Sequence, residues 1–342
     1  MKTKGKRIFV SCKQGPHFTH AAFAKTIGAE IIPCCKKFGD LNNFFMLLEA
    51  FARGFCIAVK KKPAFLISEG MESIYLCAFI KLFSKDCKLL YHDADPFFYS
   101  GGVRLKGVNR LFSNFFLKKI DYAISDSEIS KSFLVKHLKL KKDVPVVFPF
   151  VNVAQFRDSS KKQRKNILYA GRFAPEKNLF NLLKAFRIVQ DRFPGIKLYL
   201  IGAGYKGLLE NELLETAKEL GLKNVVWLGW VKDVSKHLDD SVIGYNVSLF
   251  EPFGCTALEF ALAGAVPLIG LRNGNSEVFN DSRIVCNPDN HKDIAKKMIH
   301  ILSMEQSARE KLLKELQSKA EKINEKAQCK RFKNAVEQLL DE

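Results

Sequence analysis

Residues 248–270, SLFEPFGCTALEFALAGAVPLIG, indicate the fold class of this 342-residue chain. The mostly apolar residues 242–249, which lead into this stretch, are typical of a buried strand in a parallel sheet. Pro252 and Gly254 then mark a turn, and residues 256–262 have a helical composition. The stretch ends in a second short apolar strand. This order of strand, turn, helix and strand predicts an α/β fold with a parallel sheet.

Two carboxylates lie on this unit, Glu251 and Glu259, eight residues apart. Glu251 falls at the carboxyl end of the predicted strand, where ligands bind in open parallel sheets. The backbone amides of Gly254, Cys255 and Thr256 begin the helix, so they are available to an anion. One interpretation is therefore a nucleotide-sugar site, with phosphate at the helix start and hydroxyl groups on the two carboxylates. A pair of solvated surface glutamates is the competing interpretation.

Length and composition indicate a globular protein of two domains, with 47% apolar and 27% charged residues. No apolar run approaches the length of a membrane-spanning helix, and the basic N-terminus leads directly into a strand rather than into a signal-peptide core. The nine cysteines lack the spacing of a disulfide framework or of a metal site. We therefore expect reduced, mostly buried thiols, no metal and a cytoplasmic location.

The net charge of +19 is the unusual feature of the composition. Residues 1–155 contain 25 Lys and Arg against 12 Asp and Glu, whereas residues 156–342 contain 30 against 24. Such a bias suggests an anionic partner, which could be a membrane surface, a nucleic acid or an acidic substrate. A uniformly lysine-rich surface with no specific partner would give the same charge.

Strands alternate with helices through the first half of the chain, which predicts a doubly wound α/β domain. His92 lies at the carboxyl end of its third strand, where catalytic groups gather. The adjacent Asp93 and Asp95 form an Asp-x-Asp pattern that holds a divalent metal in other enzymes, but Pro96 favours a plain turn. The sequence therefore predicts His92 as a catalytic residue and gives little support to a metal site at Asp93 and Asp95.

Residues 104–119 combine five basic residues with apolar positions at helical spacing. This pattern suits a helix lying on an anionic bilayer, and it also suits a core-facing helix with a solvated basic face. Core packing is the favoured interpretation, with a basic rim still able to approach a membrane. Basic side chains interleaved with aromatic ones also occur in nucleic-acid-binding proteins. No recognised nucleic-acid-binding module is present, however, so we expect no nucleic-acid partner.

The alternation restarts after the polar residues 157–165, which have the composition of a linker. Arg172 and Lys177 follow the next predicted strand on one loop, and two cations so placed could clamp a diphosphate without a metal. They could equally be two solvated loop cations. Gly202 and Gly204 form a weak phosphate-loop signal, since a third glycine is missing.

Six motifs occur in one order along the chain. Because of them, the chain resembles the retaining glycosyltransferases of family 4. The motifs are Tyr169-Ala-Gly-Arg172, Glu176-Lys177, Leu200-Ile-Gly-Ala-Gly204, Glu251-Pro-Phe-Gly-Cys-Thr-Ala-Leu-Glu259, Asn273-Gly-Asn-Ser-Glu277 and Asn287-Pro-Asp289. The resemblance is dense over residues 166–302. In the first half of the chain it is limited to His92, Ser127 and the crossover at residues 147–156.

The resemblance implies the GT-B fold, in which two Rossmann-like α/β domains face each other across a cleft. The first domain would comprise residues 1–156 and supply the acceptor side. After a linker at 157–165, residues 166–325 would form the domain that binds the nucleotide-sugar donor. The final helix, residues 326–342, would cross back to the first domain, and hinge closure around the donor would follow.

The resemblance also implies a role for each site residue. Arg172 and Lys177 would neutralise the leaving diphosphate, Glu259 would bind the ribose hydroxyls, Glu251 would hold the donor sugar, and His92 would reach toward the reacting bond. The implied catalytic residues are His92, Arg172, Lys177 and Glu251. The implied donor-binding residues are Gly15, Gly171, Arg172, Lys177, Gly202, Glu251, Phe253, Gly254, Cys255, Thr256 and Glu259.

The first loop departs from the pattern of the family. Many members have a glycine pair near the donor phosphates, whereas residues 11–20, SCKQGPHFTH, contain the single Gly15. His17 and His20 of this loop could contact a ligand or simply be exposed. The acceptor side therefore stays unassigned at the level of sequence.

The resemblance implies transfer of a sugar, with retention of anomeric configuration, from a nucleotide-diphosphate sugar to an acceptor. It implies no metal and no cofactor besides the nucleotide-sugar itself. The acceptor could be lipid-linked at a membrane surface, with the enzyme peripheral at the cytoplasmic face, or it could be a soluble saccharide. The residues also leave open a non-catalytic protein that binds sugar nucleotides, and a nucleic-acid-binding protein. Neither the sugar, the base nor the oligomeric state can be read from the residues.

Overall fold

The structure is a computed structural model that describes residues 5–11, 17–34, 44–101, 114–138, 140, 143–156, 164–204 and 208–341. The chain divides into two compact units. Unit 1 is Met1–Phe150 together with Glu325–Glu342, and unit 2 is Val151–Asn324. The chain thus enters unit 2 after Phe150, six residues before the boundary expected from the sequence. Phe150 stays in unit 1 because its carbonyl accepts the hydroxyl of Thr19 (2.8 Å).

Unit 1 contains a five-stranded, fully parallel sheet with the order β2-β1-β3-β4-β5. Its strands are β1 (Lys6–Ser11), β2 (Glu30–Pro33), β3 (Pro63–Glu69), β4 (Lys88–Asp93) and β5 (Tyr122–Ser125). The central strands are apolar along almost their whole length, as expected where helices cover both faces of a sheet. This order is that of a doubly wound fold, whose ligands bind beyond the carboxyl ends of the strands.

Unit 2 contains a six-stranded parallel sheet with the order β11-β10-β9-β6-β7-β8. Its strands are β6 (Asn166–Ala170), β7 (Leu198–Ile201), β8 (Val225–Gly229), β9 (Ser241–Asn246), β10 (Val266–Gly270) and β11 (Val285–Cys286). The strand order reverses between β6 and β9. Their carboxyl ends therefore mark the point where a Rossmann-like sheet binds its ligand.

Twelve helices of the described residues connect and cover these strands. They are α1 (Phe18–Thr26), α2 (Phe44–Lys61), α3 (Gly70–Phe83), α4 (Glu128–His137), α5 (Leu179–Arg192), α6 (Leu208–Glu219), α7 (Ser235–Asp239), α8 (Thr256–Leu262), α9 (Asn275–Phe279), α10 (His291–Ser303), α11 (Gln306–Glu321) and α12 (Glu325–Asp341). Short 3₁₀ turns occupy Val153–Gln155 and Pro175–Lys177, and a π-helical turn occupies Phe97–Gly101. The fold is therefore two parallel-sheet α/β units, as the sequence predicts.

Side-chain caps fix the starts of two of these helices. Ser127 accepts the amide of Ser130 (3.0 Å) at the start of α4, as its position in the sequence predicts. Asn290 accepts the amides of Lys292 (3.0 Å) and Asp293 (3.2 Å) at the start of α10. These caps satisfy amides that a helix cannot pair internally.

Two elements differ from those that the composition of the sequence predicts. Residues 144–148 read as a fifth long strand, but they form only an isolated bridge between Ser125 and Val146. Pro145 and Pro149 lack amide hydrogens, so pairing cannot extend along this edge of the sheet. The charged residues 305–327 have the composition of one helix, but that helix ends at Glu321, and the last helix begins at Glu325, one residue before the expected 326.

The last helix, α12, belongs to unit 1 although it follows unit 2 in the sequence. Its Phe332 is fully buried and stacks on Phe23 of α1, with ring centres 4.4 Å apart and planes 3° apart. The ring of Phe332 also lies 5.8 Å from that of His92 on β4. The C-terminus is thus part of the core of the first unit.

Candidate active site

The candidate site of unit 2 lies where β6 and β9 end. After β9, Ser248 and Glu251 continue toward a turn that leads into α8, and Glu251 forms an isolated parallel bridge with Asn273 beyond β10. The loop after β6 is tied to the same place, because the amide of Leu249 donates to the carbonyl of Glu176 (2.8 Å). Two loops far apart in the sequence are therefore held side by side at the ligand-binding edge of the sheet.

Lys177 and Glu251 form an ion pair between these two loops. Both side chains are largely buried, with 19% and 17% of their surface exposed, so the pair is better shielded from water than a surface ion pair. The hydroxyl of Ser248 also donates to the carboxylate of Glu251 (3.1 Å). The structure thus joins two of the predicted catalytic residues, and Ser248 is a neighbour that the sequence did not single out.

Arg172 lies on the same loop as Lys177 but does not share its contacts. Its side chain is 71% exposed and its guanidinium lies 3.5 Å from the carboxylate of Glu176, four residues away in sequence. The phenol of Tyr169 donates to the carbonyl of Arg172, which fixes the backbone from which this side chain extends. Arg172 therefore has an anchored backbone and a long side chain open to solvent, suited to reach an incoming anion.

Gly171 and Gly202 bring the loop after β6 against the end of β7. A β-carbon on Gly202, whose φ is +138°, would lie 1.8 Å from the carbonyl oxygen of Gly171, so no larger residue fits there. Beside this contact is a cavity of about 390 Å³ lined by Arg172, Phe173, Ala174, Pro175, Ala203, Gly204 and Leu209. The close contact between the two predicted glycines thus lies next in sequence to Arg172 and Ala203, which line this cavity.

The turn before α8 is held by a cluster of buried asparagines. Asn275 donates from Nδ2 to the carbonyl of Gly254 (2.8 Å) and to Oδ1 of Asn246 (2.7 Å). Asn273 donates from Nδ2 to the carbonyl of Asn246 (2.6 Å). Because buried polar groups need partners, these amides fix the turn and with it Glu251. Asn246 was missed at the sequence level, although a polar residue ending an apolar strand is a readable signal.

Gly254 is required at this turn for two reasons. Its φ of +88° lies in the left-handed region. A β-carbon there would also lie 2.7 Å from Nδ2 of Asn275 and 2.9 Å from Cγ of Glu251. The neighbouring Phe253 is buried, whereas Cys255 and Thr256 are partly exposed at the start of α8. The start of this helix is thus presented at the site, where an anion would meet its positive end.

Glu259 lies in the first turn of α8, on the same unit as Gly254. Loss of solvent around the carboxyl raises its pKa from the ordinary 4.5 to about 7. A perturbed carboxyl at the ligand-binding edge of a sheet is a functional candidate in its own right. The structure therefore places Glu259 where the sequence predicts it and adds that it titrates near neutral pH.

His92 lies in unit 1, at the carboxyl end of β4 as predicted, but its side chain is fully buried. Its Nε2 lies 2.9 Å from a carboxylate oxygen of Asp126, and its ring meets that of His20 at 4.9 Å. Its Nδ1 is buried without a hydrogen-bond partner among the residues described. Contact with a sugar would require the covering side chains to move, so the role of His92 stays a prediction.

The other candidate residues in the first half have different outcomes. Gly15 lies outside the described residues. His17 is exposed, as expected of an ordinary loop histidine. His20 is instead buried, with its Nδ1 2.5 Å from a carboxylate oxygen of Glu69. The carboxylate of Asp95 accepts hydrogen bonds from the backbone amides of Met71 (2.5 Å) and Phe97 (2.9 Å). The bond from Phe97, two residues away, belongs to the turn that Pro96 suggested.

The predicted basic helix at 104–119 lies mostly outside the described residues. In its described part, Phe116 is buried and packs edge-on against Tyr75 at 4.9 Å. Phe115 is 47% exposed, and Lys119 approaches its ring at 5.1 Å. The described end of this segment thus combines core packing with one exposed aromatic ring.

Comparisons with known proteins support the assignment to the glycosyltransferases. The family model for glycosyl transferases group 1 matches residues 152–323, which is half of the chain. An uncharacterized glycosyltransferase of Methanocaldococcus jannaschii is 30% identical over 168 residues, covering 45% of this chain and 40% of that protein. A lipopolysaccharide 1,2-N-acetylglucosaminetransferase of Salmonella typhimurium is 32% identical over 124 residues, covering 34% of this chain and 32% of that protein. The matched segments thus span well under half the length of these relatives.

Similarity of fold extends over the whole chain. The structure of HepE from Anabaena in complex with UDP-glucose aligns with a TM-score of 0.77 at 15% identity, covering 98% of this chain and all of that one. At such an identity the comparison establishes the GT-B fold. Together with the family match, which contains the loop of Arg172 and Lys177 and the turn between Glu251 and Glu259, it identifies the chain as a member of the glycosyl transferases group 1 family.

Proposed function

We propose that this protein transfers a sugar from a nucleotide-diphosphate sugar to a hydroxyl group of an acceptor, with retention of anomeric configuration as in family 4. The observation that carries the proposal is the convergence of Lys177, Glu251 and the Gly254 turn at the ends of β6 and β9. A cation, a carboxylate and a helix start are the three groups that a sugar diphosphate needs there.

Each group is assigned a part of the donor. Arg172 and Lys177 bind the diphosphate, and the start of α8 at Cys255 and Thr256 adds backbone donors. Glu259 accepts the ribose hydroxyls. Glu251 binds the donor sugar, and the ion pair with Lys177 keeps its carboxylate at the boundary between sugar and phosphate. The cavity beside Arg172 would receive the base.

The proposed reaction exchanges one bond at the anomeric carbon for another. The bond from that carbon to the β-phosphate oxygen breaks, and a bond to the acceptor oxygen forms on the same face. The acceptor proton passes to the leaving phosphate oxygen, so no side chain has to act as general base. Arg172 and Lys177 stabilise the charge that develops on the diphosphate, in the place that a metal takes in other transferases.

Binding of the donor is the first test. In a thermal-shift panel of UDP-, GDP- and ADP-sugars, we expect one nucleotide class to raise the melting temperature, since a ligand that binds only the folded state stabilises it. Glu259→Ala should abolish that shift. Glu215→Ala, which removes an exposed carboxylate from α6, is the matched control and should keep it.

Transfer is the second test. Sugar-nucleotide hydrolysis or transfer should persist in EDTA and should be lost in Glu259→Ala and Glu251→Gln. NMR of the first-formed product should show the anomeric configuration of the donor. Full activity of Glu259→Ala would contradict the site, loss of activity in EDTA would contradict the assigned role of the cations, and an inverted product would contradict retention.

A further inference from the structure

Unit 1 carries an exposed apolar surface on α2 and α3, called here the α2–α3 face. It consists of Leu48, Phe51, Phe55 and Val59 of α2 with Leu82 and Phe83 of α3. Between 37% and 54% of each side chain is exposed. Single exposed apolar side chains are ordinary, but contiguous patches of this kind mark interaction surfaces.

The α2–α3 face is continuous because the two helices approach closely. Gly54 permits the approach, since a β-carbon there would lie 2.8 Å from Cβ of Phe79. The rings of Phe51 and Phe55 then meet that of Phe83 edge-on, with centres 5.2 and 5.1 Å apart. The α2 members recur at three- and four-residue spacing, which places them in one stripe.

Cations lie at one end of this surface. Lys60 lies in the last turn of α2, Lys62 follows that helix directly, and Lys85 follows α3; all three are exposed. The helices run in the same direction, because Phe51 contacts Phe79 and Phe83 while Phe55 contacts Phe83. The three ammonium groups therefore extend the apolar stripe at the same end. Exposed acids nearby are limited, among the described residues of the two helices and their ends, to Glu49 and Asp86.

We propose that the α2–α3 face docks on an anionic lipid bilayer. Aromatic and aliphatic side chains would enter the boundary between headgroups and acyl chains, while the lysines pair with lipid phosphates. Among the described residues, no helix is long and apolar enough to cross a membrane. The excess positive charge of residues 1–155, 25 basic against 12 acidic side chains, adds attraction on the same unit.

Charge favours a bilayer over a second copy of the chain. A two-fold dimer whose axis ran along the two helices would place the same face on both partners and bring Lys60, Lys62 and Lys85 toward their counterparts. Like charges at such an interface oppose association, whereas an anionic surface removes that cost. The inference is independent of the proposed transferase activity, since its test measures vesicle binding alone.

Flotation with vesicles of phosphatidylcholine and phosphatidylglycerol tests the apolar part of the α2–α3 face. At low salt the chain should float with mixed vesicles and not with phosphatidylcholine alone. Phe55→Glu should abolish flotation. Leu214→Glu on α6 of unit 2 is the matched control, because Leu214 is 45% exposed against 49% for Phe55, and it should float like the unchanged protein.

The cationic part has its own pair of variants. Replacing Lys60, Lys62 and Lys85 by Gln should lower vesicle affinity at least about tenfold, since lysines near an anionic surface are attracted to its lipids. Replacing the exposed Lys296, Lys311 and Lys314 of unit 2 by Gln removes the same charge and should have a much smaller effect. Circular dichroism should show native melting for all variants.

Three results would overturn the proposal. The first is that the unchanged protein fails to float with anionic vesicles. The second is that Phe55→Glu floats as well as Leu214→Glu. The third is that both lysine variants lose affinity equally, which would mean a response to net charge alone. Analytical ultracentrifugation supplies a further check. Concentration-dependent self-association that Phe55→Glu removes would assign the α2–α3 face to a subunit interface instead.

Discussion

Glu259 makes stability depend on pH through a single side chain. Its pKa in the folded chain is about 7 against an ordinary 4.5, because burial disfavours the charged form. The folded state therefore holds a proton that the unfolded state releases between these values, and the free energy of unfolding falls as pH rises through that window. We expect a contribution on the order of 1–3 kcal/mol to be lost by pH 8.

Glu259→Gln isolates this contribution, because the amide keeps the shape of the side chain and cannot ionise. Urea unfolding at several pH values should show the unchanged protein losing stability relative to Glu259→Gln between about pH 5 and pH 8. Parallel pH profiles of the two proteins would contradict the assignment. In the proposed complex the ionised carboxylate is the better acceptor for ribose hydroxyls, so donor affinity should rise over the same window in the unchanged protein alone.

The pairing of charges at the site shows how far residue-level prediction reaches. The sequence places Arg172 and Lys177 on one loop and predicts that they act together. In the structure Lys177 contacts Glu251, 74 positions away, while Arg172 extends into solvent beside Glu176, and their joint action on a diphosphate stays a prediction. Local spacing cannot show this partnership, since it depends on β6 and β9 being neighbours in the sheet.

At the scale of elements, the turn between β9 and α8 sets the position of Glu251 and the helix start. Gly254→Ala should strain this turn, because its φ is +88° and the new methyl group would lie 2.7 Å from Nδ2 of Asn275. We expect a loss of about 1–3 kcal/mol in unfolding free energy. We also expect weaker nucleotide-sugar binding, measured by calorimetry, since the methyl group would press on Glu251 as well.

Gly221→Ala is the matched control for this turn. Its φ of +64° lies in the left-handed region, so alanine strains the backbone there too. No neighbouring atom lies within 4 Å of the added carbon, however. The stability difference between the two variants therefore measures the contact with Asn275 and Glu251. If both variants lost equal stability and kept equal donor affinity, the turn would have no special role in positioning the site.

The elements themselves were largely readable from the sequence. Buried parallel strands such as Asn166–Ala170 and Val266–Gly270 form where the sequence has short apolar runs followed by glycine or ending in it, because such runs have few competing structures. The misread segment 144–148 has the same composition, but its prolines prevent ladder formation. The break between the last two helices, at residues 322–324, is not predicted because no glycine or proline marks it. Packing of α12 against α1 decides where the last helix begins.

At the scale of the whole molecule, the chain returns to unit 1 at its end, so the last helix should stabilise the first unit. Phe332 of α12 is fully buried against Phe23 and His92. Phe332→Ala would leave a cavity in that core, and removal of a buried phenylalanine ring costs about 3–5 kcal/mol. We therefore expect faster amide exchange in unit 1, although residue 332 follows all of unit 2 in the sequence.

Hydrogen exchange resolved by peptide can test this assignment. Peptides covering β4 (Lys88–Asp93) and α1 (Phe18–Thr26) should lose protection in Phe332→Ala, while the peptide covering β9 (Ser241–Asn246) keeps it. Lys333→Ala changes the exposed neighbour on the same helix and should leave all three unchanged. Equal loss of protection in β4 and β9 would mean that the two units unfold together, because a cavity confined to one core otherwise lowers the free energy of opening only where its contacts lie.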